Sequence, residues 1–379
     1  VHRNTAIAAY RELEAEGCRF RSTTDTEVLI ALYEREGMRM LRRLRGMYAF
    51  ILHDTRTGET FYARDPIGIK PLYVRSFTGG VAFASEPAAL RQLGPTTMDL
   101  VPLVRSLMFL YSPGTEFGIR EIVRIPPGEA GRIASDGTLS VIPDGRLLPD
   151  GRGPTSFTPS PDAADVVATL RAAVREHLTS DVPVGIMFSG GLDSSVVAAL
   201  AAQETARPVR LFSLYSDRRR PDERLDEPAN VRDAAERLGL ALSPVDPPDG
   251  ILGELDRVVR AIGEPVADPA AVAARAIAEQ ARRAGHYVLI SGHGADELFA
   301  GYRRHLVARH ILSRPWIPRL FAAARTLPSG TRNRRGQWWA EDRRHWLPLL
   351  HSIVRPHDLA RLLSADVTDE LTAGGRVDS

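Results

Sequence analysis

At 379 residues, with 44% hydrophobic and 25% charged side chains, the chain has the length of two domains and an ordinary globular composition. A formal net charge of +2 is too small to imply a nucleic-acid or anionic-membrane partner, and no apolar run approaches a membrane span. Cys18 is the only cysteine, which excludes an intrachain disulfide and a cysteine-rich metal site and fits a cytoplasmic enzyme.

Residues 5–17 and 26–44 read as helices, the second carrying Val28, Leu29, Leu32 and Leu41 at near-helical spacing with Asp25 as its N-cap. The period then changes. Met47 to Leu52 is an apolar strand, Asp54 to Gly58 a hairpin turn, and Thr60 to Arg64 the returning strand. Further strands are expected at Leu72 to Val74 and Val81 to Ala84. Helices followed by antiparallel strands make an α+β part over residues 1–95. Residues 96–161 are Pro- and Gly-rich and read as a connecting segment with short strands at 130–134 and 139–142. Its tail, Pro143 to Pro161, is the expected linker.

From 162 to 379 the pattern is α/β. An amphipathic helix spans 162–179, with Val166, Leu170, Val174 and Leu178 four apart. Strands at 182–188, 209–215 and 287–290 alternate with helices at 194–204, 227–238, 251–262 and 270–284, and a helix begins again at 296. This alternation predicts a parallel, doubly wound sheet.

The chemistry lies where strand gives way to helix. The apolar run Val184 to Phe188 enters Ser189-Gly190-Gly191-Leu192-Asp193-Ser194-Ser195 and then an alanine-rich helix. At such a junction a phosphate meets backbone N–H groups and the positive end of a helix. The glycines let the backbone approach, and Ser189, Ser194 and Ser195 offer hydroxyl donors. Asp193, an acceptor-only carboxylate beside phosphate, calls for a divalent cation between them. No Gly-Lys-Ser/Thr follows, so this is not a Walker loop. A second strand–turn–helix, Val288-Leu289-Ile290 into Ser291-Gly292-His293-Gly294-Ala295-Asp296-Glu297, supplies another carboxylate, Asp296.

The first loop resembles that of the ATP pyrophosphatases, and both loops together resemble the glutamine-hydrolysing asparagine synthetase family. Asp181 to Gly185, Gly263-Glu264-Pro265-Val266-Ala267-Asp268-Pro269-Ala270 and Arg124-Ile125-Pro126-Pro127-Gly128 match further family strings. Upstream, Ser22 to Val28, Gly46 to Phe50 and Arg64 to Tyr73 are similar to the family's Ntn-type glutaminase domain. The resemblance implies ATP and Mg²⁺ as cofactors. It places Phe188, Ser189, Gly190, Gly191, Asp193, Ser194, Ser195, Ser216, Ser291 and Gly292 around the nucleotide, and Asp193 and Asp296 on the metal. Asp25 would hold the glutamine amino group. The implied reaction is activation of aspartate as β-aspartyl-AMP and amidation by glutamine-derived ammonia. Small molecules are therefore the expected partners, with oligomeric state left open between monomer and homodimer.

The chain departs from the family at both ends. Residue 1 is Val where the family has a nucleophilic Cys, and Cys18 lies in a turn with no neighbouring base, so no catalytic nucleophile is assigned. Lys70 is the only lysine and belongs to the first half, whereas the family carries a lysine late in the synthetase domain. A fragment of a longer reading frame is expected, with a truncated, non-catalytic homologue as the alternative. His293 stands where an acidic residue is common, which leaves open a different carboxylate substrate, as in natural-product ligases.

Overall fold

The computed structural model describes residues 3–22, 24–134, 136–146, 162–215, 227–248 and 250–302, with 305, 306, 309, 363, 364 and 367. It opens with α1 (Arg3–Ala15) and α2 (Asp25–Glu36). Thr24 rather than Asp25 is the N-cap of α2, and Asp25 sits in its first turn. The long helix expected over 26–44 stops at Gly37, whose φ of 59° lies in the left-handed region, and resumes as a 3₁₀ helix, Gly37–Arg42.

Two antiparallel sheets follow. One has the order β1-β2-β6-β7, from Ala49–Asp54, Glu59–Arg64, Glu129–Ile133 and Leu139–Arg146. The other has the order β4-β3-β5, from Gly80–Ala84, Tyr73–Phe77 and Val123–Arg124. The β1–β2 turn closes as its composition requires: Gly58 N–H donates to the Asp54 carbonyl at 2.8 Å, and Arg56 N–H to the Asp54 carboxylate at 2.9 Å. Strands β6 and β7 come from the stretch read as a connecting segment, and they complete the first sheet.

Period-two alternation stacks the layers. Ala63 of β2 and Ala130 of β6 face α1 and α2, where Leu13, Leu32, Met40 and Tyr48 are fully buried. Tyr62 points the other way, into a core with Leu72, Val74 and Ile125, and its ring lies 6.0 Å from that of Phe83. Tyr73, next along β3, faces outward to Leu90, Phe117 and Ile122, beside α3 (Pro87–Arg91). Each aromatic ring so buried contributes about 1.5–3 kcal/mol.

The parallel half begins with α5 (Ala163–His177) and has a sheet of order β10-β9-β8-β11. Its strands are β8 (Val184–Met187), β9 (Arg210–Leu214), β10 (Ala241–Val245) and β11 (Val288–Ile290). All three pairings are parallel. Helices α6 (Leu192–Glu204), α7 (Glu227–Leu238), α8 (Ile251–Ile262) and α9 (Pro269–Arg283) connect them. Sequence reading missed β10, an edge strand holding Pro244, whose absent N–H is tolerated only at an edge or bulge. Ile186, Phe188, Ala198, Leu211 and Val231 make the core on one face; Phe212, Val245, Ile277 and Ala281 make that on the other.

The chain divides into two compact units, Val1–Asp99 with Pro113–Ser291, and Leu100–Ser112 with Gly292–Ser379. The first holds all three sheets. In the second, α4 (Leu100–Phe109) buries Val104 and Met108 against Leu363 and Val367, and α10 (Ala295–Phe299) follows the Gly294 turn. Of the linker expected over Pro143 to Pro161, residues 143–146 continue strand β7, because β6 lies alongside to pair with it. Residues 147–161 lie outside the described residues, as does the Arg/Trp-rich stretch from 310 apart from the three noted above.

Candidate functional site

In a doubly wound sheet, ligands bind beyond the carboxyl ends of the strands, where successive connections leave to opposite sides. Here β8 leads outward through β9 to β10, while β11 returns to its other flank. The switch point lies between β8 and β11. Val288 pairs with Val184 and Ile290 with Ile186, so Ser291 and the loop from Ser189 leave adjacent strands at the same edge. The first residue of the second motif thus emerges beside the first loop.

The Ser189 to Ser195 loop is braced from within. Ser194 is 5% exposed, and its Oγ accepts from Ser189 N–H at 3.2 Å and donates to the Gly191 carbonyl at 3.2 Å. The Ser189 and Ser194 hydroxyls are 3.1 Å apart, and Gly191 N–H donates to Ser189 Oγ at 3.3 Å. Ser194 is therefore a strut, whereas the sequence had cast it as a direct ligand. Ser189, Gly191 and Leu192 are exposed, and Asp193 and Ser195 half-buried. No side chain caps α6, so the first-turn N–H groups of this 13-residue helix are left for an anion.

Gly190 has a φ of +73°, and a Cβ there would come within 2.9 Å of Val231 Cα and 3.3 Å of Val231 N on α7. The loop is thus pressed against a neighbouring helix backbone, a contact that sequence patterns could not show. Phe188 was expected to line the pocket. Its side chain is 2% exposed in the sheet core, and its N–H donates to the Phe212 carbonyl at 2.8 Å. Its part is to hold Ser189 at the strand end.

Ser216 lies outside the described residues; Tyr215, before it, ends the β9 segment with its N–H on the Val245 carbonyl at 3.1 Å. Gly292 and Asp296 are in the second unit. There Asp296 occupies the first turn of α10, and its carboxylate folds back so closely on Gly301 that a Cβ at 301 would collide with it. His293 is exposed. Among the described residues, no group of three or more His, Cys, Asp or Glu forms a metal site. Asp193, half-buried in the first turn of α6, is an oxygen donor of the kind Mg²⁺ takes.

The first-half strings serve partly as scaffolding. Asp65 is fully buried and accepts from the N–H groups of Ile67, Ile69 and Lys70 at 3.2, 3.0 and 2.9 Å. Arg64, whose guanidinium is pulled below its usual range by burial, donates to the carbonyls of Lys70 at 2.9 Å and Gly68 at 2.8 Å, and also to Ile125. Asp25 is half-buried at the start of α2. Two residues on, Glu27 accepts from Arg21 and Ser22 N–H, each at 2.8 Å, and these bonds hold its carboxyl below the usual range. Cys18 is half-buried against the α1–α2 core.

An antiparallel sheet sandwich beside a parallel sheet with a phosphate-type loop at its switch point defines a two-part, ATP-pyrophosphatase-like protein. Sequence comparison carries this further. The asparagine synthase family model matches residues 165–375, and a glutamine amidotransferase domain model matches residues 6–141. The chain belongs to the asparagine synthase family. It is 35% identical over 364 residues to a putative glutamine-hydrolysing asparagine synthetase of Mycobacterium tuberculosis, covering 90% of this chain and 54% of that protein. It is 32% identical over 304 residues to glutamine-hydrolysing asparagine synthetase 1 of Bacillus subtilis, covering 78% and 46%. A Penicillium rubens amidase, chyE, is 29% identical over 77% of this chain and 45% of its own. The chain thus spans about half the length of these relatives. Superposition on an NH3-dependent NAD synthetase of Campylobacter jejuni gives a TM-score of 0.27 at 15% identity, over 37% of this chain and 60% of that one, too slight to bear on fold or function. Among the described residues, no helix is long and apolar enough to cross a membrane.

Proposed function

We propose that this chain is the ATP-binding core of a glutamine-hydrolysing asparagine synthase-type ligase, which activates aspartate as β-aspartyl-AMP and amidates it with glutamine-derived ammonia. The observation that carries this reading is the uncapped start of α6, behind a loop braced by Ser194, at the switch point beside Ser291. Free N–H groups and the helix dipole there favour the charge that gathers on a departing pyrophosphate. Ser189 and Ser195 would donate to its oxygens, and Gly190 and Gly191 would let it approach the backbone. Mg²⁺, when bound, would neutralise phosphate charge, with Asp193 and Asp296 as the side chains the sequence assigns to it. Asp25, at a helix start in the amidotransferase-like half, would pair with the glutamine α-amino group.

A second reading, a related adenylating amidotransferase with a different carboxylate substrate, draws on His293 and on the likeness to the fungal amidase. Product analysis on the full-length protein separates the two. Aspartate-dependent formation of AMP and pyrophosphate, with asparagine appearing when glutamine or ammonia is added, supports the first. ATP cleavage indifferent to aspartate removes it in favour of the second, and release of ADP and phosphate removes both.

A further inference from the structure

The two family matches, 6–141 and 165–375, meet within one unit at a cluster that the nucleotide site does not use. Glu264, just past the end of α8, receives both prongs of Arg124 from β5, the Nε–Oε1 bond being 2.9 Å, and the Tyr73 hydroxyl from β3 donates to Oε1. Arg124 and Glu264 side chains are only 15% and 12% exposed. The guanidinium also donates to the Gly114 carbonyl at 2.9 Å and lies 5.8 Å from the Phe117 ring centre, and that ring meets Tyr73 edge-on at 5.4 Å. Burial and the adjacent carboxylate push the Tyr73 phenol well above its usual range, so it stays a donor. Beside it, a Cβ at Gly263 would stand 3.0 Å from Pro87 Cδ at the start of α3, a further contact between the two matched regions.

Position gives the cluster its meaning. Helix α9 feeds β11, a strand parallel to β8, and packs across β9 and β10, so it runs from the carboxyl edge of the sheet back to the amino edge. The 263–268 connection, ending in the Asp268 cap that accepts from Ala270 N–H at 2.8 Å, therefore lies at the edge where the Ser189 loop and Ser291 emerge. We propose that Glu264 is a positioning residue: the Tyr73–Arg124–Glu264 clasp fixes the 263–268 connection at the nucleotide edge and makes the amidotransferase-like and synthetase-like halves unfold and respond as one. A bidentate Arg–carboxylate pair suits this task, because it fixes orientation as well as distance.

Calorimetry on the ligand-free chain tests the clasp without reference to nucleotide. The unaltered chain should show the two halves melting in one transition, and Arg124→Met should split it in two. Amide exchange at 72–74 and 123–125 should then quicken on the order of a hundredfold, the lower end for breaking a buried pair. Arg124→Lys, which keeps charge but not the fork, should split it less. Should Arg124→Met not fold, the near-isosteric Glu264→Gln carries the test. Two transitions in the unaltered chain, or one undivided transition in the variants, overturn the proposal. A second measurement rests on the nucleotide reading: MgATP should slow exchange at 123–125 in the unaltered chain, and in Glu264→Gln only at 189–195. Equal slowing at 123–125 in both chains overturns the proposal. No slowing at 189–195 in the unaltered chain counts against the nucleotide reading, while the melting result still judges the clasp.

Discussion

Gly190→Ala tests how the nucleotide loop is built. At a φ of +73° an alanine strains the backbone by about 1–2 kcal/mol. Its methyl would also lie 2.9 Å from Val231 Cα and 3.3 Å from Val231 N, backbone atoms that no rotamer change can move aside. Such overpacking costs about 1–3 kcal/mol, for a sum of about 2–5 kcal/mol. At roughly 2–4 °C per kcal/mol for a body of this size, the melting transition should fall by roughly 4–20 °C. Gly191→Ala is the internal control. Its φ is −73°, and its added methyl meets only Ser189 Oγ, at 3.3 Å, so its cost in stability should stay under about 1 kcal/mol. That methyl nevertheless stands at the exposed mouth of the loop and should weaken ATP binding. Denaturant melts of both variants, with ATP titrations, read the two effects separately. Equal stability of the two variants would refute the claim that α7 presses on the loop at Gly190.

Arg64→Met removes the donor to the Lys70, Gly68 and Ile125 carbonyls and should cost about 2–4 kcal/mol in urea unfolding, with no recovery in Arg64→Lys. Tyr62→Phe loses only the 3.0 Å bond to Glu129 and keeps the buried ring, so it should cost about 1 kcal/mol; a loss as large as that of Arg64→Met would contradict this ranking. Glu27 gives a pH test. Its carboxyl is depressed below 4.5 by the Arg21 N–H, then by Ser22, so its contribution is complete above that value and is lost as pH falls through the lower folded value. The Arg21 and Ser22 amide resonances should therefore move with a midpoint below 4.5; a midpoint at or above 4.5 would show that these bonds do not form.

Much of this fold was legible because local pattern and tertiary environment agree. In the strands at 60–64 and 81–84 successive side chains such as Tyr62 and Ala63, or Ala82 and Phe83, join different cores as layered sheets require. The helices at 227–238 and 251–262 keep the bounds their sequence predicts. What escaped notice was decided by partners distant in sequence. Val123–Arg124 is a two-residue strand that exists only because β3 lies beside it, and Pro244 hid β10, whose edge position excuses the missing donor. Gly37 divides a helix that periodicity alone had run through to 44. At the site, the strand–loop–helix junction around Ser189, Gly191 and Asp193 was readable from the sequence. The turning of Phe188 into the core and the use of Ser194 as a strut depend on which face each side chain takes at the loop. Arg124 and Glu264 were visible as strings, but only the fold brings together residues 140 positions apart.

The central claim is that ATP binds at the Ser189 to Ser195 loop and the adjacent end of β11, and hydrogen exchange with and without MgATP tests it most directly. The account predicts that amides of 190–195 and 291 slow on adding nucleotide, and that Asp193→Asn reduces the effect. Slowing confined to other segments, or none at saturating nucleotide, would contradict it.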